Sequence, residues 1–118
     1  MIEAEAQLKA GNATAALATL NAARATVTGL TPLTAAATPA AQLTQLFSER
    51  AFWFFGRGYR TGDMRRLIRQ YSRAANTVFP TGTWHKGGNY GVDVNFPIPQ
   101  AEQNNPNAGG AACIDRNP

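Results

Sequence analysis

Apolar and polar positions along the chain fall into two regimes, which change over near residue 76. From Glu3 to Val27, small apolar residues recur at helical spacing. Ile2, Ala6 and Ala10 share one face of a first helix, and Leu17, Leu20, Ala23/Arg24 and Val27 share one face of a second. Gly11-Asn12 interrupts the run: glycine supplies the left-handed residue that ends a helix, and Asn12 or Thr14 can cap the next. Residues 2–28 therefore read as a helical hairpin. A loop follows over 29–38, punctuated by Pro32 and Pro39, and Thr38-Pro39 starts a further helix with a hydroxyl cap and a proline at its first position. That helix is expected over about 40–55, with Leu43, Leu46, Phe47, Ala51 and Phe54 on one face. Phe52, Trp53 and Phe55 wrap its last turn in aromatic surface, a pattern that implies burial all round. Glu49 and Arg50, just before it, then need partners, because an unpaired buried charge is strongly destabilising.

Gly56-Arg57-Gly58 closes this helix, and another is expected over about 62–72. Thr61 would cap it, with Asp63 in the first turn, where a carboxylate meets the positive end of the helix dipole. Met64, Leu67, Ile68 and Tyr71 fall at i, i+3, i+4 and i+7 and form an inward face, while Arg65, Arg66, Arg69 and Arg73 face elsewhere. From Asn76 helical periodicity stops, and glycine, proline and asparagine become dense. Gly91-Val92-Asp93-Val94-Asn95-Phe96 alternates as a short strand would, and Pro97 and Pro99 confine any strand there to an edge. The expected fold is mainly α: a helical part over 1–75, then an ordered, loop-rich C-terminal tail over 76–118 with at most short strands. The spacing of Ala4, Leu8, Gly11, Ala15, Ala16, Leu17 and Leu20 resembles a tetratricopeptide repeat, in which small residues let two antiparallel helices approach closely. One such unit cannot bury its own apolar face. The hairpin is therefore read as the end of a helical-repeat scaffold, and the whole chain as a fragment of one larger domain.

Composition sharpens this picture in two places. The chain has 118 residues, one domain at most, and its apolar fraction of 44% is that of a globular protein. Alanine supplies much of that fraction before Ala51, whereas the large apolar side chains come later, so the first third needs something outside itself to pack against. The net charge is +4, and seven of the eleven Lys and Arg lie between Arg50 and Arg73. Such a cluster raises a polyanion partner such as nucleic acid. A solvated helix face, with arginines paired to buried carboxylates, accounts for it better, and no nucleic-acid partner is expected. Met1 to Glu5 is neither a cationic leader nor the start of an apolar one, and no stretch approaches the roughly 18 apolar residues of a membrane span.

Catalytic chemistry finds no foothold. The seven carboxylates are scattered, and Glu3 and Glu5, the one close pair, face apart on a helix. His85 is the sole histidine and Cys113 the sole cysteine, which excludes a histidine-rich metal site, a cysteine-based zinc site and an internal disulfide. Ser48 and Ser72 lie on helices with no base nearby in sequence. No catalytic residue, metal site or cofactor is expected, and the chain reads as a binding protein, not an enzyme. Trp84 and Tyr90 stand in a glycine-rich segment with His85, Lys86 and Asn89. Sugars stack their C–H faces on such rings while polar side chains hydrogen-bond the hydroxyls. Trp84, His85, Asn89 and Tyr90 are the candidate ligand-binding residues; the plainer alternative is that these rings pack the tail to the helices.

The run Glu49-Arg50-Ala51-Phe52-Trp53-Phe54-Phe55-Gly56-Arg57-Gly58-Tyr59-Arg60-Thr61-Gly62-Asp63-Met64-Arg65-Arg66 resembles a segment of SusD/RagB-type proteins, the match being carried by Glu49, Arg50, Gly56, Arg60, Asp63, Arg65 and Arg66. Pro97-Ile98-Pro99-Gln100-Ala101-Glu102, followed by Asn105-Pro106-Asn107, is similar to that family's terminal element through Pro97, Pro99 and Glu102. Two acids of the family's pattern are aromatic here, one near Phe52/Trp53 and one at Phe55, which leaves Arg57 and Arg60 to find other partners. The resemblance implies a non-catalytic subunit that captures glycans or other nutrients for a TonB-dependent outer-membrane transporter. It also implies a lipoprotein at the cell surface, anchored through an N-terminal part that precedes this chain, with Met1 an internal methionine. The motif residues would be structural, fixing the last helices and the tail. A helical-repeat protein-docking module without sugar binding is the alternative, and nucleic-acid binding through Arg50–Arg73 ranks below both.

Overall fold

The computed structural model describes residues 1–92, together with 94, 99, 101 and 104–107. Five helices follow in order: α1 (Ile2–Lys9), α2 (Ala13–Arg24), α3 (Pro39–Trp53), α4 (Arg60–Arg69) and α5 (Ala75–Val78). The only β pairing among the described residues is a single antiparallel bridge between Thr83 and Asn89. The chain is thus mainly α. It divides into two compact units, Met1–Tyr59 with α1 to α3 and Arg60–Pro118 with α4 and α5. None of the described helices is long and apolar enough to cross a membrane.

In the first unit the local start and stop chemistry sets the elements. Gly11 takes φ 78°, and the Asn12 side chain accepts the Ala15 N–H at 3.1 Å, so a three-residue link turns α1 back onto α2. Thr38 caps α3 by accepting the Ala41 N–H at 3.2 Å, with Pro39 at the first helical position. Ala16, Leu20, Leu46 and Phe47 are buried and form the apolar core where α1, α2 and α3 meet. The long link between α2 and α3 has no helix or strand, and side chains hold it instead. Asn21 clasps Leu33 from both ends, donating Nδ2 to its carbonyl at 3.1 Å and accepting its N–H at 2.7 Å. Gln42 and Gln45 donate to the Ala36 and Thr34 carbonyls.

Two faces differ from the sequence expectation. Ile2, Ala6 and Ala10 do share a face of α1, but it is the outer one: all three are exposed, Ile2 at 79%. Ala4 and Glu5 are the buried positions. Ala4 presents almost no side chain and lets α2 approach, while Glu5 turns inward to meet Arg50. The aromatic wrap at the end of α3 is likewise one-sided. Phe54 and Trp53 are half-buried, whereas Phe52 is 75% and Phe55 86% exposed. The turn that ends α3 throws Phe55 outward: Gly56 follows with φ 73°, in the left-handed region.

A Cβ placed on Gly56 would meet no heavy atom within 4 Å, so the position is closed to other residues by backbone conformation alone. Gly56→Ala is therefore expected to destabilise the unit by about 1 kcal/mol, the cost of forcing an L side chain into that region. Urea unfolding of the two chains checks this, and a loss well beyond about 2 kcal/mol would mean that sterics, not φ, dictate the glycine.

In the second unit α4 begins at Arg60, so Thr61 lies inside the helix and does not cap it. Gly58, at φ 77°, completes the turn, and the chain re-enters helical geometry before the hydroxyl is reached. Asp63 stands in the first turn as expected and is buried. Met64, Leu67, Ile68 and Tyr71 are half-buried, but so are Arg65, Arg66 and Arg73, so burial does not single out an apolar inward face on α4. α4 stops at Arg69, earlier than the periodicity suggests, and Ser72 takes φ 53° in the turn beyond. Helical structure does not end with it, because α5 forms one more turn, helped by Thr77, whose hydroxyl donates to the Ala74 carbonyl at 2.7 Å. Of the strand expected over 91–96, Gly91, Val92 and Val94 are not in a strand, and the other positions lie outside the described residues.

Candidate functional site

The motif residues at the end of α3 form a buried ionic cluster. Glu49 accepts Arg24 Nη1 on one carboxylate oxygen at 2.7 Å and Trp53 Nε1 on the other at 3.1 Å. Arg24 also donates Nε to the Thr31 carbonyl at 2.8 Å, so one guanidinium joins α2, the following link and α3. Arg50 is buried beside it. Its Nη1 lies 3.8 Å from Glu5 Oε2, and its guanidinium sits 5.1 Å from the Phe54 ring centre and 5.8 Å from that of Phe47. Burying such groups is tolerable only because each charge has an opposite charge and hydrogen-bond partners within reach. The cluster joins helices and leaves no carboxylate open to a substrate. Its partners could be half-seen in the sequence: Arg24 falls on the inward face of α2, where a cation needs an acid. Glu5 gave no such signal.

On α4, Arg66 donates Nη1 to Asp63 at 3.1 Å, one turn apart. With Arg50 buried and Arg66 paired, the run of arginines from Arg50 to Arg73 is not one open cationic stripe. Arg57 and Arg60 are exposed and have no ion-pair partner among the described residues. Pro99 is exposed, whereas Pro97 and Glu102 lie outside the described residues.

Trp84, His85, Asn89 and Tyr90 all lie on one small hairpin. The Trp84 N–H donates to the Gly88 carbonyl at 2.8 Å, and the Tyr90 N–H to the Gly82 carbonyl at 2.9 Å, around the Thr83–Asn89 bridge. A Gly87 N–H to Trp84 carbonyl bond of 2.9 Å closes a turn with His85 and Lys86 at its two central positions. Gly87 and Gly88 follow at φ 95° and 85°, a pair of left-handed positions that only glycine takes without strain. The turn gathers three side chains. The His85 ring meets that of Trp84 edge-on at 5.4 Å and 70°, and Lys86 Nζ lies 5.8 Å from the Trp84 ring centre. The whole loop is solvent-facing: Trp84 is 39% and Tyr90 40% exposed. The Asn89 side-chain amide has no hydrogen-bond partner among the described residues, and no ring contact joins Tyr90 to Trp84. The arrangement is one aromatic platform flanked by an imidazole and an ammonium, with Asn89 and the Tyr90 ring elsewhere on the hairpin. Lys86 is the member that ring chemistry alone did not single out; its position at the turn corner is what brings it to the platform.

The first unit also holds a partly open pocket of about 230 Å³, walled by Leu8, Leu17, Leu20 and Leu46. Gln42 and Gln45 reach its edge, but their amide nitrogens are committed to the loop carbonyls, and no charged side chain lines it. A sugar there would give up hydration of its hydroxyls with little to replace it. The hairpin, not the pocket, has the chemistry for a polyhydroxylated ligand. No family model, curated protein or solved structure matches this chain.

Proposed function

We propose that the chain is the closing portion of a SusD/RagB-type capture protein, which binds glycans or similar nutrients without turning them over and presents them to a TonB-dependent transporter. In this reading α1 and α2 form the last tetratricopeptide-like repeat of a helical scaffold, and residues 76–118 are its irregular trailer. The protein would work at the outer-membrane surface, held by a lipid anchor on a preceding part. The observation that carries the reading is the hairpin over 82–90, where an exposed Trp84 ring is edged by polar groups suited to hydroxyls. Stacking a sugar on an indole removes apolar C–H and ring surface from water, and the flanking groups select the orientation. The buried cluster of Glu5, Arg24, Glu49 and Arg50 supports the structural role given to the motif.

A second reading has its own observation. Phe52 and Phe55 project from the end of α3 as exposed aromatic surface, which suits a protein partner better than a sugar. Affinity electrophoresis through gels containing a panel of polysaccharides separates the two. Wild-type protein should be retarded by at least one glycan, Trp84→Ala should migrate as in an empty gel, and the Phe52→Ala/Phe55→Ala pair should still be retarded. A protein that no glycan retards, but that binds the neighbouring transporter through Phe52 and Phe55, would replace the first reading by the second.

A further inference from the structure

We infer, resting on the glycan reading above, that the ligand of the 82–90 hairpin is an acidic glycan, one carrying uronate or sulfate groups on the sugar that stacks on Trp84. The turn bonded from Gly87 to Trp84 places Lys86 beside the ring by backbone geometry, so the ammonium belongs to the platform. Lys86 has no ion-pair partner among the described residues. Between Asp63 and Asp93 the sequence holds no other Asp or Glu, while Arg65, Arg66, Arg69, Arg73 and Lys86 fall in that interval. Among the described residues the loop therefore presents an uncompensated positive charge beside a stacking surface.

The distances favour a ligand that claims the ammonium. At 5.8 Å from the ring centre, Lys86 Nζ stands near the roughly 6 Å limit of a cation–π contact, so turning toward a carboxylate gives up little. An exposed ion pair is of the same order as a well-placed cation–π contact, so the anion gains because this ring contact stands near its distance limit. A hexose stacked on the indole carries its exocyclic group at the ring edge, where the flexible lysine stem can follow it. Gly87 and Gly88 keep that side open, since a Cβ at either would meet no heavy atom within 4 Å. A neutral sugar would use the same ring and His85, and would gain no charge-assisted bond from Lys86.

The test uses the full chain and two matched pairs of probes: oligogalacturonate with its methyl ester, and a sulfated galactan with its desulfated form. Calorimetric titration at low salt should give the charged member of at least one pair about fivefold tighter binding, the order that one exposed ion pair supplies. The preference should shrink as salt is added. Lys86→Gln should bring the two members of the pair to the same affinity, and Lys86→Arg should restore the preference. Equal affinities in the wild type, or a preference that survives Lys86→Gln, would overturn the acidic assignment while leaving glycan binding intact. Binding of none of the four probes and of no glycan in the gel panel would remove the glycan reading and this inference together. Tighter binding of a single-stranded nucleic acid than of any acidic glycan would also overturn it, because bases too stack on an indole beside a cation.

Discussion

Glu49→Ala is expected to lower the stability of the Met1–Tyr59 unit by about 3 kcal/mol, the lower end of the range for breaking a buried ion pair. The substitution removes the acceptor of both Arg24 Nη1 and Trp53 Nε1, and leaves a guanidinium in a place where water reaches it poorly. The side chains of Arg24 and Glu49 are 16% and 6% exposed. The loss stays at the lower end because Arg24 keeps its bond to the Thr31 carbonyl and some contact with solvent. Glu49→Gln, which retains the shape and an acceptor for one donor, should cost about half as much. Replacing Arg24 and Glu49 together by Met and Leu should fall much closer to wild type than Glu49→Ala, since no charge is then left buried alone. Urea unfolding followed by circular dichroism reads all three. A Glu49→Ala protein within about 0.5 kcal/mol of wild type would make the pair no more than a surface contact.

Leu46→Ala should be comparably damaging, at about 3 to 4 kcal/mol. Leu46 is 1% exposed and forms one wall of the pocket near α1 and α2. Truncating it removes buried methyls and leaves a hollow that the surrounding helices relax into only in part, so a cavity penalty adds to the lost burial. An ordinary unit of this size has a total stability of only about 3 to 9 kcal/mol, so the variant stands near the edge of unfolding. A shift of the urea midpoint by about 3 M, or loss of a cooperative transition, is the expected result, given a slope of about 1 kcal/mol per molar for so small a unit. Little change would mean that the helices close over the gap, and that the core lies elsewhere.

The parts of the fold that were legible in the sequence are those dictated by local chemistry. Thr38-Pro39 and Asn12 start helices because a hydroxyl or amide can accept an orphan N–H only there, and those bonds are present. Gly56 ends α3 because its φ excludes other residues. The packing signal held for Leu20, Leu46 and Phe47, which are buried, and failed on α1 and at the end of α3. The faces of α1 could not be ranked, because alanine is nearly indifferent to burial and the position that mattered was a glutamate seeking Arg50. The wrap of Phe52 and Phe55 read as buried because apolar periodicity reports what a face could do, not what lies opposite it. Thr61 looks like a cap in the sequence because hydroxyl chemistry does not show how much of the preceding turn Gly58 completes.

The candidate site was legible by composition and not by arrangement. Gly87-Gly88 marked a turn, and Trp84, His85, Asn89 and Tyr90 offered suitable groups. What the sequence could not give was the bond from Gly87 to Trp84, which sets Lys86 against the ring and leaves Tyr90 outside the cluster. Two residues apart in a strand would point the same way; here the turn, not strand alternation, brings positions 84 and 86 together.

The chain offers a direct probe of this assignment because it has just two tryptophans, Trp53 bonded to Glu49 in the first unit and Trp84 on the hairpin. Titrating ¹⁵N-labelled protein with a retarding glycan resolves their two indole N–H resonances. The Trp84 indole and the backbone amides of 82–90 should shift saturably with one dissociation constant, while the Trp53 indole stays in place. Shifts confined to Trp53 and the end of α3, with the hairpin silent, would contradict the account.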